Sequence, residues 1–320
     1  MKRSMVLCFL ATMFLQTLIS QKIENVVSFR DIKSESYFRF NYDNDFFTAT
    51  DKNYTQGYNL ELVAPFFKTN PFNYLFYTPK DVETRYGLAV EHIGYTPTSF
   101  DSPDIQFGDR PFAAAFMLKS FSITTNLANK IRFTSAFSLG LIGPGAFGKE
   151  MQVAIHKATG NKIPLGWRNQ IKNDIVVQYE IGYEKQLVNY KGLFSLQVNA
   201  STKLGSLFIN VSLGINTTFG IINSPFSSSG NSNVFKLFGY AQTLVNFIGY
   251  DATLQGGVFN KQSPYIIASQ DITPFKGQFN YGIILKSKTL YFEYARSLLT
   301  KEFKTGSASK WGGIKIGFTI

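Results

Sequence analysis

Tyr37-Phe38-Arg39-Phe40-Asn41-Tyr42-Asp43 alternates strictly, with Phe38, Phe40 and Tyr42 on one face and Arg39, Asn41 and Asp43 on the other. A strand aromatic on one side and polar on the other suits a wall between lipid and a wet interior. The pattern recurs in Tyr58-Leu60-Leu62-Ala64, Phe133-Ser135-Phe137-Leu139-Leu141, Ile175-Val177-Tyr179-Ile181-Tyr183, Leu207-Ile209-Val211-Leu213-Ile215 and, at the end, Ile314-Ile316-Phe318-Ile320. A hairpin turns at Lys286-Ser287-Lys288. About twelve strands count out, an even number that returns both termini to one side.

The predicted fold class is therefore all-β: a transmembrane antiparallel β-barrel of about twelve strands with a short helix in an extracellular loop. If the first strand runs outward, connections 44–54, 96–111, 142–173, 248–275 and 300–310 share the extracellular rim. Connections 67–83 and 220–233 fall on the other rim and are long for periplasmic turns.

Composition agrees. The 320 residues include 32 Phe, 17 Tyr and 26 Gly but are only 17% charged, a profile that favours a barrel over a soluble sandwich. Residues 1–20, with Lys2-Arg3 before an apolar run and Ser20 at its end, read as a signal peptide. The barrel is then 21–320, with 21–35 as a polar periplasmic lead-in. The single cysteine, Cys8, falls in the leader, which excludes disulfides, thiolate nucleophiles and sulfur metal sites from the mature chain. The net charge of +11 points to phosphate-bearing lipid or glycan; no basic, aromatic nucleic-acid motif is present. No protein partner is implied.

Two constellations could do chemistry. Asp43-Asn44-Asp45, followed by Thr50-Asp51 and Thr55, is a dense set of hard oxygen ligands suited to calcium. The same residue types also favour turns at a barrel rim. Strict alternation puts Asn44 and Asp45 on opposite faces, so a bulge must re-aim residues here or the site straddles the wall. The second constellation is the helix-like Lys149–Lys157 stretch, framed by Gly145, Gly148 and Gly160. Spacing i,i+4 puts Gln152 beside His156, whose imidazole can take a proton from water and return it to a leaving alkoxide. A lone histidine on a loop helix also occurs as plain polar surface. His92, within a strand, is read as structural.

Taken in order, Asn44-Asp45-Phe46, Thr50-Asp51-x-x-Tyr54-Thr55-x-Gly57, Tyr95-Thr96-Pro97, Asp109-Arg110-Pro111-Phe112-Ala113, Gly143-Pro144, Gln152-x-x-x-His156 and Gly166-Trp167-x-Asn169-Gln170 resemble the lipid A 3'-O-deacylase (LpxR) family of outer-membrane enzymes. The match spans roughly residues 37 to 180, and Leu254-Gln255-Gly256-Gly257 extends it weakly.

The resemblance implies a calcium-dependent esterase of the Gram-negative outer membrane that removes a 3'-linked acyloxyacyl chain from lipid A. By position, His156, Gln152, Asn44, Asp45 and Thr55 would be catalytic, and Asn44, Asp45 and Asp174 would hold the metal. Arg110, Lys149 and Lys157 would bind lipopolysaccharide phosphates. Two departures stand out: Ala114 and Ala115 after the Arg-Pro motif, and Ile320 in place of a terminal aromatic. A phospholipase on the same scaffold and a non-enzymatic porin or structural barrel are the competing readings.

Overall fold

The computed structural model describes residues 24–48, 53–80, 82–222, 226 and 235–320. The predicted leader, Cys8, Thr50 and Asp51 lie outside them. Twelve antiparallel strands close into one barrel in which each pairs with its chain neighbours. They are β1 (Tyr37–Asn44), β2 (Asn53–Val63), β3 (Glu83–Thr96), β4 (Ala113–Asn126), β5 (Ile131–Ile142), β6 (Asp174–Tyr190), β7 (Phe194–Gly205), β8 (Phe208–Ile221), β9 (Lys236–Asp251), β10 (Phe275–Ser287), β11 (Leu290–Leu299) and β12 (Ser309–Thr319). β1 closes on β12, Tyr37 opposite Thr319 and Asn44 opposite Gly312. Helix α1 (Gly148–Thr159) lies between β5 and β6, and one helical turn, α2 (Ala252–Gln255), follows β9. No helix among the described residues is long and apolar enough to cross a membrane; the strands provide the crossing.

The N-terminal segment corrects the expected polar lead-in: it runs inside the barrel. Ser28 donates its backbone N–H (2.7 Å) and hydroxyl (3.0 Å) to Glu184 on β6. Arg30 pairs with Glu293 on β11 at 2.8 Å and donates to Tyr240 on β9 at 2.7 Å. Asp31 takes Arg85 of β3 and Arg132 of β5, both at 2.7 Å, and Arg39 of β1 reaches the Arg30 carbonyl. Partners on β1, β3, β5, β6, β9 and β11 ring the segment, and only the lumen is bounded by all of them. Val27, Phe29 and Ile32 are buried with it.

Toward the opposite rim, Tyr54, Tyr95, Phe208 and Trp311 fill the interior with an apolar core. The lumen is thus occupied by a charged plug at one level and packed side chains at another. Planar-bilayer recordings on the folded protein are expected to show no stable open-channel conductance.

Inward Arg39, Arg85 and Arg132 fix the parity of the wall, so the residues alternating with them face lipid. Leu139, Ile175, Val211, Leu213, Ile215 and Ile283 are accordingly exposed. The length of the 67–83 connection also has a physical cause. Two 3₁₀ turns, Pro65–Thr69 and Pro71–Leu75, lie against the outer wall. Phe72 stacks on Phe137 of β5, and Asn70 and Tyr179 tie the loop to β4 and β6 through Ser120 Oγ and the Leu75 carbonyl.

Candidate active site on the outer wall

By the same parity Tyr42, Asn44, His92, Thr96 and Ala114 project outward. The β2–β3 register breaks between Tyr54 and Gln56, leaving Thr55 as the extra residue of a β-bulge. Beyond the bulge Tyr54 is turned inward, against Tyr95 and Trp311. Thr55 is turned out, its hydroxyl 3.3 Å from Thr96 Oγ1. The bulge thus lies in β2 and not at Asn44-Asp45. β1 ends at Asn44, and a 3₁₀ turn, Asp45–Thr48, begins at once.

Helix α1 rests on this outer surface. After β5 the chain turns at Gly143 (φ 107°), makes a 3₁₀ turn over Pro144–Ala146, and enters the helix through Phe147 in the left-handed region (φ 59°). Gly160 (φ 71°) ends it, its N–H bonded to the His156 carbonyl. His92 Nε2 donates to the Ala146 carbonyl at 2.9 Å, so the histidine read as structural positions the entry to α1. A Cβ on Gly148 would stand 2.4 Å from Ala114 Cβ and 2.7 Å from the Trp167 ring. The Ala114 departure noted in the sequence is thus a seat for the helix. Gly148→Ala is expected to cost about 1–3 kcal/mol by overpacking and to lower activity by displacing α1. Heat-modifiable gel migration, which reports the barrel, should be unchanged.

The helix delivers two side chains. Trp167 Nε1 donates to Gln152 Oε1 at 2.6 Å, which fixes the amide so that Nε2 donates to Thr55 Oγ1 at 2.9 Å. Thr55 also accepts, at its backbone carbonyl, a 2.6 Å bond from Asn44 Nδ2. Asn44, Thr55 and Gln152 therefore form one connected group, with His156 one turn along the helix from Gln152. His156 Nδ1 lies 2.5 Å from the Lys162 carbonyl. A carbonyl only accepts, so Nδ1 carries the proton and, in the neutral ring, the lone pair is on Nε2. Phe100 packs edge-on against the ring at 5.2 Å. Trp167, Thr96, Phe100 and the Lys162 carbonyl have no assigned role in the sequence reading; the Tyr95-Thr96-Pro97 and Gly166-Trp167 motifs are the visible signals.

Asn44 Oδ1 accepts the Phe46 N–H at 2.7 Å and retains a second lone pair. Asp45 beside it is buried. These hard oxygens fit calcium as a partial set that backbone, water or substrate oxygens would complete. Among the described residues no group of three or more His, Cys, Asp or Glu side chains is gathered for a metal.

Two predicted members are not brought to this group. Asp174 lies at the end of β6 with the parity of inward Glu184, and its carboxylate accepts the N–H groups of Ile175, Phe259 and Asn260. It caps a loop on the lumen side, whereas Asn44 projects outward. Arg110 is also enclosed: it pairs with Glu302 at 2.7 Å, donates to Thr253 Oγ1 at 2.9 Å, and lies over the Tyr95 ring. It is a strut of the upper core, with no surface to offer a lipid phosphate. Lys149 and Lys157 are exposed on α1.

A family model described as "Outer membrane protein LpxR" matches residues 5–320. No curated protein matches the sequence. Among solved structures, LpxR from Salmonella typhimurium superposes with a TM-score of 0.73 at 19% identity, over 89% of this chain and 100% of that one. The β-domain of the Bordetella autotransporter BrkA reaches 0.47 at 7% identity, over 89% and 98%, a likeness too loose to bear on function.

Proposed function

The chain belongs to the outer membrane protein LpxR family, and on that premise we propose that it is an outer-membrane lipid A deacylase, a calcium-dependent esterase that releases the 3'-linked acyloxyacyl chain. The observation that carries this reading is the side of the wall on which the polar group stands. A pore would place its working residues in the lumen, which here is filled. Asn44, Thr55, Gln152 and His156 instead cluster on the lipid side, where an ester of lipopolysaccharide in the outer leaflet can reach them.

In the proposed reaction His156 Nε2 removes a proton from water as the water oxygen bonds to the acyl carbonyl carbon. The tetrahedral oxyanion then collapses and breaks the bond to the sugar oxygen, which takes the proton back from the imidazolium. The Nδ1–H bond to Lys162 holds the ring in the tautomer this requires. Gln152 occupies one lone pair of the Thr55 hydroxyl, so the Thr55 proton can orient water or the carbonyl. Asn44 and Asp45 would hold calcium, which when bound would supply positive charge to stabilise the oxyanion. Exposed Lys149 and Lys157 suit the phosphates of lipid A.

The test is product analysis on purified protein in mixed micelles with lipid A and, separately, a glycerophospholipid. Release of an intact acyloxyacyl acid from lipid A alone supports the proposal. Fatty acid from the glycerophospholipid alone would make the protein a phospholipase.

A further inference from the structure

At the rim bearing the termini, Lys236 opens β9 and Lys286 lies near the end of β10. The register sets them directly opposite one another. Both share the parity of inward Tyr240 and Ile284, and both are buried, at 6% and 4% exposure. Among the described residues Lys286 Nζ has no hydrogen-bond partner. Two like charges facing each other across a strand pair destabilise a sheet, more so when removed from water.

A third ammonium, Lys33, approaches from the plug at 8% exposure. Its backbone is held in the left-handed region (φ 56°) by a bond from its N–H to Asp31 Oδ1 at 3.0 Å. The three lysines line one cavity together with Asp31, Ile284 and Tyr291. Asp31 is the only carboxylate on that lining among the described residues, and its Oδ2 is already taken by Arg85 and Arg132, each at 2.7 Å. Among the described residues the lining thus carries three lysines to one carboxylate, and Lys286 Nζ makes no hydrogen bond.

We propose that this cavity is a binding site for a small oxyanion of the phosphate or sulfate class, bridging Lys236 and Lys286 of the wall to Lys33 of the plug. The wall separates the cavity from lipid, so the anion enters free from solution at the periplasmic mouth and is not a lipid headgroup. Its effect is to clamp the plug inside the barrel. The site is remote from the outer-wall group and does not depend on the reaction proposed there.

The experiment uses the refolded full barrel in detergent, in chloride buffer at constant ionic strength, with inorganic phosphate as the probe. Calorimetric titration and the unfolding midpoint are read for wild type, Lys286→Met and the Lys236→Met/Lys286→Met double variant. Wild type is expected to bind one phosphate saturably, with the midpoint rising as phosphate is added. The single variant, relieved of the facing charge, should equal or exceed wild type in stability without phosphate and respond weakly to it. The double variant should not respond. An absent response in wild type, or an equal one in the double variant, overturns the proposal.

Discussion

His156→Ala is expected to reduce release of the acyloxyacyl chain from lipid A by about 100- to 10,000-fold, the range carried by a positioned general base. The barrel should fold as before, because the imidazole lies on the outer wall and contributes nothing to the strand ladder or the lumen. His156→Gln should fail as severely, since an amide can keep the bond to the Lys162 carbonyl but offers no basic lone pair in place of Nε2. Rates are to be compared on protein whose heat-modifiable migration matches wild type. Near-normal turnover in either variant would remove His156 from the chemistry.

The second large effect is on stability. Asp31→Ala strips the shared counter-charge from Arg85 and Arg132, which are almost fully buried. Their remaining carboxylates are farther off, Glu83 at 3.7 Å and Glu184 at 3.9 Å. Breaking a buried pair by removing one partner costs about 3–5 kcal/mol, to be read from urea unfolding in micelles.

The same residue sets an acid dependence. Burial alone would raise the Asp31 carboxyl, but Arg85 and Arg132 outweigh it and hold the group well below the usual carboxylate range. A carboxylate depressed in the folded state contributes stability that is complete above its unfolded pKa, near 4, and is lost as pH falls toward the lower folded value. Wild type should therefore weaken below about pH 4, and Asp31→Ala should show a flatter acid limb. Equal stability of the two proteins at neutral pH would mean that this charge cluster does not hold the plug.

The barrel was legible because a lipid-facing wall imposes period two, and stretches such as Ile175–Tyr183 and Leu207–Ile215 obey it without interruption. Helix α1 was legible from its glycines and from the failure of that period between Lys149 and Lys157. The plug was not, because Val27, Phe29 and Ile32 alternate with no fixed spacing among Ser28, Arg30 and Asp31, and their partners lie on six different strands. Charge patterns of that kind read as solvated lead-in until the partners are seen.

The site was legible in part. Gln152 and His156 share a helix face by spacing alone. The turn of Thr55 toward them depends on one extra residue in β2 that composition does not reveal. Motif position alone joins Arg110 and Asp174 to the site: Arg110 lies in the β3–β4 connection and its partners Glu302 and Thr253 are far along the chain, and for Asp174 position along β6 does not tell which side of the wall the side chain faces. Parity counted from the inward arginines does.

Lipid A extracted from a host that lacks such an activity, and expresses this chain, gives the most direct measurement by mass spectrometry with and without calcium chelation. Loss of one acyloxyacyl unit as a single mass step, prevented by the chelator, is expected. Unchanged lipid A in membranes that hold the folded barrel and calcium would contradict it.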